Sequence, residues 1–147
     1  MSLSIREATG DDAEEIVALT RELAGFEHLA DEVRCTADQV RRTVADGLVH
    51  VSLGEVGDGV AAGHALWFPT FSTFLGQTGI WLEDLYVRPP HRGRGYGRAL
   101  LEHLRARTDG RVEWEVLDWN ERAIAVYEHL GAEPVRGWTR YRWAPTG

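Results

Sequence analysis

The spacing of apolar residues changes several times along the chain, and each change marks an element. Residues 4–8 make a short strand. Thr9, Gly10, Asp11 and Asp12 then offer a cap and first-turn acids for a helix. Ala13, Ile16, Val17, Thr20, Leu23 and Ala24 fall on one face of that helix, which should end near Gly25. Thr36 and Gln39 form a capping-box pair for a second helix that runs to about Ala45. Residues 48–56 and 60–68 read as strands joined by the hairpin turn Gly57-Asp58-Gly59. An aromatic loop with Phe71 and Phe74 spans 69–79, and a fourth strand spans 80–87 until Pro89-Pro90 stops it. Leu100, Leu101 and Leu104 repeat at helical spacing up to about Arg107. A fifth strand follows at 112–117. Asn120 caps a last helix over 121–130, and Gly131 ends it. Residues 133–136 and 139–143 are two closing strands around Gly137-Trp138, and 144–147 fray. This order predicts an α/β chain: a mixed, mainly antiparallel twisted sheet of six to seven strands with helices on both faces.

Composition narrows the class. At 147 residues the chain suits one domain, 1–147, and can bury a real core. The formal net charge of −7 argues against a nucleic-acid partner and suits a cationic substrate. A single cysteine excludes an internal disulfide and fits a reducing, cytoplasmic compartment. No apolar run is long enough to span a membrane, and residues 1–4 lead straight into polar sequence without a signal-peptide core. Cys35 lacks an adjacent histidine, and the six histidines show no metal-ligand spacing, so no metal is expected.

Residues 81–104 concentrate the candidate chemistry. A strand runs into Arg92, Gly93, Arg94, Gly95, Tyr96, Gly97 and Arg98, and a helix follows. Such a junction aims backbone N–H groups and the positive end of a helix dipole at one point. Glycine lets an anion approach the backbone closely, and three arginines add positive charge. This is a pyrophosphate cradle. Its letters match neither the G-x-x-x-x-G-K-[ST] loop nor the G-x-G-x-x-G dinucleotide fingerprint.

The Arg-x-x-Gly-x-Gly spacing of Arg92, Gly95 and Gly97, after a Leu-Tyr-Val strand end, resembles the acetyl-CoA loop of the GNAT N-acetyltransferase superfamily. The likeness extends across the chain. ELAGFEHLADEV at 22–33, LEDLYV at 82–87, RGRGYG at 92–97 and WNERAIAVYEHLGA at 119–132 resemble its spermidine/spermine (diamine) acetyltransferase branch, as does the Gly137-Trp138 turn. One departure is Thr73, at a position that is often acidic in polyamine-acetylating members.

The resemblance implies acetyl-CoA as co-substrate and a small cationic amine, polyamine or lysine-like, as acceptor. The amine would attack the thioester directly in a ternary complex. An alkyl ammonium has a pKa near ~10, so a proton must leave before attack. Glu83 is the candidate base, or alternatively a substrate anchor. Alternation places it on the opposite face from Asp84 unless a bulge intervenes. By resemblance, Tyr127 protonates the departing CoA sulfur and Asn120 touches CoA as well as capping its helix. Backbone N–H groups of Leu85, Tyr86 and Val87 would hold the acetyl carbonyl and pantetheine arm, which requires strands four and five to splay. Phe26 and Glu27 match substrate-loop positions of the branch. Glu113 and Glu115 alternate on one face of strand five, either as an acidic wall for the amine or as an exposed strand face. The branch also implies a homodimer, for which the apolar C-terminal end with Trp138, Tyr141 and Trp143 is a candidate contact. Two rival readings are an enzyme acting on a protein or peptide amine and a non-catalytic acyl-CoA-binding module.

Overall fold

The computed structural model of the chain describes residues 2–147. Its elements in order are β1 (Ser4–Glu7), α1 (Ala13–Phe26), α2 (Ala37–Ala45), β2 (His50–Val56), β3 (Val60–Ser72), β4 (Gln77–Val87), α3 (Tyr96–Arg105), β5 (Val112–Glu113) and α4 (Glu121–His129). The chain divides into two compact units, Met1–Glu115 and Val116–Gly147. The first contains the sheet, in the order β1-β2-β3-β4-β5. The first three pairings are antiparallel. β4 and β5 are parallel, joined by the α3 crossover. The second unit contains α4.

The expected helix starts hold. Thr36 accepts from Gln39 N at 3.2 Å, and Gln39 Oε1 accepts from Thr36 N at 3.0 Å, closing the capping box. The first helix ends near Gly25, as expected, but not through it. Gly25 lies inside α1, and the chain leaves the helix through His28, whose φ is +61°. Leu29 N then reaches back to Ala24 O at 2.8 Å. The left-handed residue that ends α1 is thus a histidine, and Gly25 is an ordinary helical position.

α1 and α2 cover one face of the sheet. Ile16, Val17 and Leu19 pack there with Val40, Val51, Leu53 and Tyr86. α3 covers the other face, where Tyr96 packs with Val56, Ala62 and Val87.

Three strand expectations change. The aromatic loop is mostly hairpin: β3 extends to Ser72 and β4 begins at Gln77. Pro69 is tolerated inside β3 because the ladder to β2 ends at His50↔Trp67, so the chain beyond is an edge that needs no further N–H. β5 is two residues long, not six. The described residues form five strands, and 133–136 and 139–143 carry no strand among them.

Candidate active site

The turn after β4 has the open, left-handed glycine backbone that an anion cradle would use. Gly93 and Gly95 adopt φ values of +77° and +79°, which L side chains rarely enter. No heavy atom lies within 4 Å of where a Cβ would stand on either. Gly95 is also the N-cap of α3 and supplies no side-chain cap to the first turn. The N–H groups of the first turn thus have no side-chain cap, and an uncapped helix N-terminus suits an anionic pyrophosphate. The residues present fit the diphosphate of acetyl-CoA on this ground.

The arginines divide their work. Arg92 turns back on the protein: its Nε donates to Val87 O at 2.8 Å. Its guanidinium lies 5.1 Å from the Phe26 ring centroid and 5.5 Å from that of Tyr86. Arg98 pairs with Glu102 at 2.9 Å along α3. Arg94 is exposed, and no residue among those described pairs with it. Tyr96 puts its ring into the α3-side core, so only its backbone is left for a ligand. Gly97 lies against Val87, a Cβ there standing 3.9 Å from Val87 Cγ2.

β4 carries the chemistry upstream of this turn. The β3–β4 register slips once: Leu66 faces Asp84, whereas Trp67 faces Leu82. Glu83 is the extra residue of a β-bulge. Paired residues share a face, and Leu66 packs into the α1/α2 core, so Asp84 and Tyr86 point to the α1/α2 side. Trp81 faces Phe68 and points the same way. Its Nε1 donates to Glu83 Oε1 at 3.0 Å. Regular alternation would separate Glu83 from Asp84, and the bulge gathers both carboxylates on the face closed by the end of α1.

The two acids differ in environment. Glu83 is exposed and oriented by the Trp81 indole. Asp84 is largely buried; burial, with the charges of Glu83 and Glu27, pushes its carboxyl up to about 6. Burial also raises Glu27. Phe26 and Glu27, Glu83 and Asp84 are thus brought together at the exit of α1. Nearby, Arg88 clamps β4 to α1 through Glu15 at 2.6 Å and Glu22 at 2.8 Å. Asp84 and Arg88 were not singled out from the sequence. The bulge that aims Asp84 leaves no composition signal, and Arg88 meets its partners only in the folded chain.

The contact between strands four and five is short in the first unit. The β4–β5 ladder consists of Ile80↔Val112 and Trp81↔Glu113. Among the described residues it does not continue beside Leu85, Tyr86 and Val87, which keep their antiparallel partners on β3. That edge of β4 is where strand N–H groups can meet a ligand.

A separate cavity of ≈ 230 Å³ lies at the far end of the β3–β4 hairpin. Thr73 and Glu113 line it, with Thr70, Phe71, Gln77 and Arg111. Phe26, Glu27 and Glu83 do not. Glu115, two residues beyond Glu113, is exposed.

In the second unit, Asn120 caps α4, its Oδ1 accepting from Ala123 N at 3.2 Å. Tyr127 lies two turns further along the same helix. Among the described residues, no helix is long and apolar enough to cross a membrane. No group of three or more potential metal ligands occurs among them either.

Residues 13–132 match the model of the acetyltransferase (GNAT) family. The chain is 37% identical over 141 residues to the thialysine N-epsilon-acetyltransferase of Caenorhabditis elegans, covering 91% of this chain and 87% of that one. It is 40% identical over 88 residues to the L-ornithine N5-acetyltransferase of Arabidopsis thaliana, covering 57% of this chain and 39% of that one. Among solved structures, a possible acetyltransferase from Clostridium difficile 630 superposes with a TM-score of 0.81 over 100% of both chains at 18% identity, a likeness of fold.

Proposed function

The chain belongs to the GNAT acetyltransferase family, and from that premise we propose that it transfers the acetyl group of acetyl-CoA to the primary amine of a small cationic molecule. The observation that carries this reading is the bulge in β4. It places Glu83 and Asp84 on one face beside Glu27, upstream of a strand edge and a glycine-rich anion cradle. Three carboxylates around one point suit an ammonium group. The relatives' names, a thialysine and an ornithine acetyltransferase, are in keeping with a small amine acceptor.

Acetyl-CoA supplies the activated acetyl carbon. The protein's part begins with the amine, which arrives protonated and is held by the acidic face. Glu83, exposed and oriented by Trp81, takes the proton directly or through water. Asp84 holds the amine from the buried side. The freed nitrogen attacks the thioester carbon, the C–N bond forms and the C–S bond breaks, and the nitrogen gives up its second proton to water as the amide forms, which restores the hydroxyl that Tyr127 spends on the sulfur. N–H groups on the free edge of β4, at Leu85 to Val87, take up charge on the acetyl oxygen. Tyr127 gives a proton to the departing sulfur, and Asn120 contacts CoA. An acyl-enzyme on Cys35 is not needed and is disfavoured, because burial and the charge of Asp84 raise its thiol pKa. Gly93 to Gly97, with Arg94, hold the pyrophosphate. Arg92 acts behind it, tying the turn to Phe26 and β4.

The reading extends to a homodimer working in a reducing cytosol, in keeping with the diamine-acetyltransferase likeness and the lone cysteine. Light scattering at micromolar concentration should give twice the 16.5 kDa chain mass; the monomer mass would exclude the dimer. The activity itself is tested by amine-dependent release of the CoA thiol.

A further inference from the structure

Ser52 is fully buried in the middle of β2, and it and His64 are the buried polar residues among those described. A buried hydroxyl needs a partner. Ser52 Oγ accepts from Trp67 Nε1 at 3.2 Å. The proposed chemistry uses neither residue, yet Trp67 is where the β3–β4 ladder changes step.

Two registers meet there. Gly63 to Leu66 pair with Val87 to Asp84 in one register, and Trp67 to Ser72 pair with Leu82 to Gln77 in another. Each is held at its own end. Gly63 approaches β4 so closely that a Cβ would stand 2.3 Å from Tyr86 O, and Arg88 N donates to Ala62 O at 2.8 Å. At the hairpin end, Ser72 Oγ accepts from Leu75 N at 3.1 Å and Ser72 O accepts from Gly76 N at 2.8 Å. Neither end decides which residue between them is left over. Run one pair further, the first register would set Glu83 opposite Trp67 and turn it to the α3 side, away from Asp84. Run one pair further, the second would set Glu83 opposite Leu66 and take Asp84 out of the pairing.

Trp67 is held from outside the hairpin. It ends the β2–β3 ladder, opposite His50, where pairing would otherwise fray. Its bond to Ser52 reaches two residues back into β2. Its ring stacks on His50 with centroids 4.5 Å apart, and the Arg107 guanidinium lies 5.2 Å from the Trp67 ring centroid. Glu7 Oε1 of β1 lies 2.9 Å from His50 Nδ1. The indole is thus fixed on the α3 side, with the buried Leu82 opposite it on β4.

We propose that the Ser52–Trp67 hydrogen bond pins the step in the ladder, so that Ser52 and Trp67 are positioning residues for Glu83 and Asp84 on the other face of the sheet. This rests on the acetyltransferase reading, in which Glu83 takes the proton of the amine, and adds what holds Glu83 in place. Their action passes through the backbone of β4, not through contact with the amine.

The test follows the full chain by NMR and by turnover. Trp81 reports on the bulge, because its Nε1 donates to Glu83. Its indole N–H signal is assigned among the six tryptophans by its absence in Trp81→Phe. Ser52→Ala removes the acceptor of the buried bond, and Trp67→Phe removes the donor. In each variant the Trp81 signal should move towards its position in Glu83→Ala. On L-ornithine or putrescine, whichever the wild type acetylates faster, kcat should fall ~10–100-fold while KM for acetyl-CoA stays within ~2-fold. The double variant should lose no more than the larger single loss, because both changes remove one bond. An unmoved Trp81 signal, undiminished turnover or additive losses overturn the proposal. Should Ser52→Ala not fold, Trp67→Phe reads the same bond. Hydrogen exchange needs no variant: the Trp67 indole N–H of the wild type should be protected, and rapid exchange overturns the anchor. If the wild type acetylates neither amine, the acetyltransferase reading fails, and the Trp81 signal still decides the anchor. A shift in the variants supports it, and an unmoved signal overturns it.

Discussion

Asp84 stands opposite Leu66 in the β3–β4 ladder, while the next residue of β3, Trp67, stands opposite Leu82. The single residue left over is Glu83. This one-residue slip turns two consecutive acids into a pair that shares a face, and both the proposed chemistry and an unusual pH response depend on it.

Asp84 is held above its usual range by burial, to about 6. In the unfolded chain its carboxyl titrates near 3.8. Between those values the folded state binds the extra proton, so this group's contribution to stability falls as pH rises from about 4 to 6 and stays low above it. Asp84→Asn should therefore match the wild type at pH 4 and exceed it at pH 7 by on the order of 2–3 kcal/mol, while losing amine turnover. Urea melts at both pH values check the sign.

His64 does the opposite. It is fully buried, neither ring nitrogen has a hydrogen-bond partner among the described residues, and burial pushes its pKa down to about 4. Its neutral ring favours the folded state above pH 6.5, and that contribution is lost as pH falls towards 4. In the wild type the contributions of His64 and Asp84 therefore oppose each other between about pH 4 and 6. His64→Leu should leave a profile that rises towards acid, and Asp84→Asn one that falls towards acid. A parallel slope in both variants would contradict the assignment.

Gly95 adopts a left-handed backbone at the N-cap of α3. Gly95→Ala should lower stability by only about 1 kcal/mol. CoA affinity should weaken by ~10-fold or more as the turn relaxes away from the anion. Calorimetry with CoA, beside a thermal melt, measures both.

Tyr127→Phe keeps the ring and removes only the proposed proton donor. It should lower kcat by ~10²–10⁴-fold with little change in either KM. Unchanged turnover across pH would remove Tyr127 from the mechanism.

The legible part of the molecule was local. The capping box at Thr36 and Gln39, the glycine turn and the pairing of β2 with β3 depend on residues a few positions apart, and spacing alone reports them. The bulge depends on how 13 residues of β3 meet 11 of β4, and a slip of one residue has no mark in either strand. Reading 69–79 as a loop failed for a similar reason. Pro69 argues against a strand until β2 is seen to stop beside Trp67. Ser52 and Trp67 were passed over because their bond joins two strands, and neither residue is marked by its neighbours in sequence.

The central claim is that the acidic face of β4 receives a small cationic amine for acetylation. The most direct measurement is thiol release from acetyl-CoA by the purified chain, with and without a panel of small primary amines, in the wild type and in Glu83→Gln. Amine-dependent release by the wild type, reduced by ~10²-fold or more in Glu83→Gln, is the predicted result. CoA binding with no release on any amine would contradict the claim.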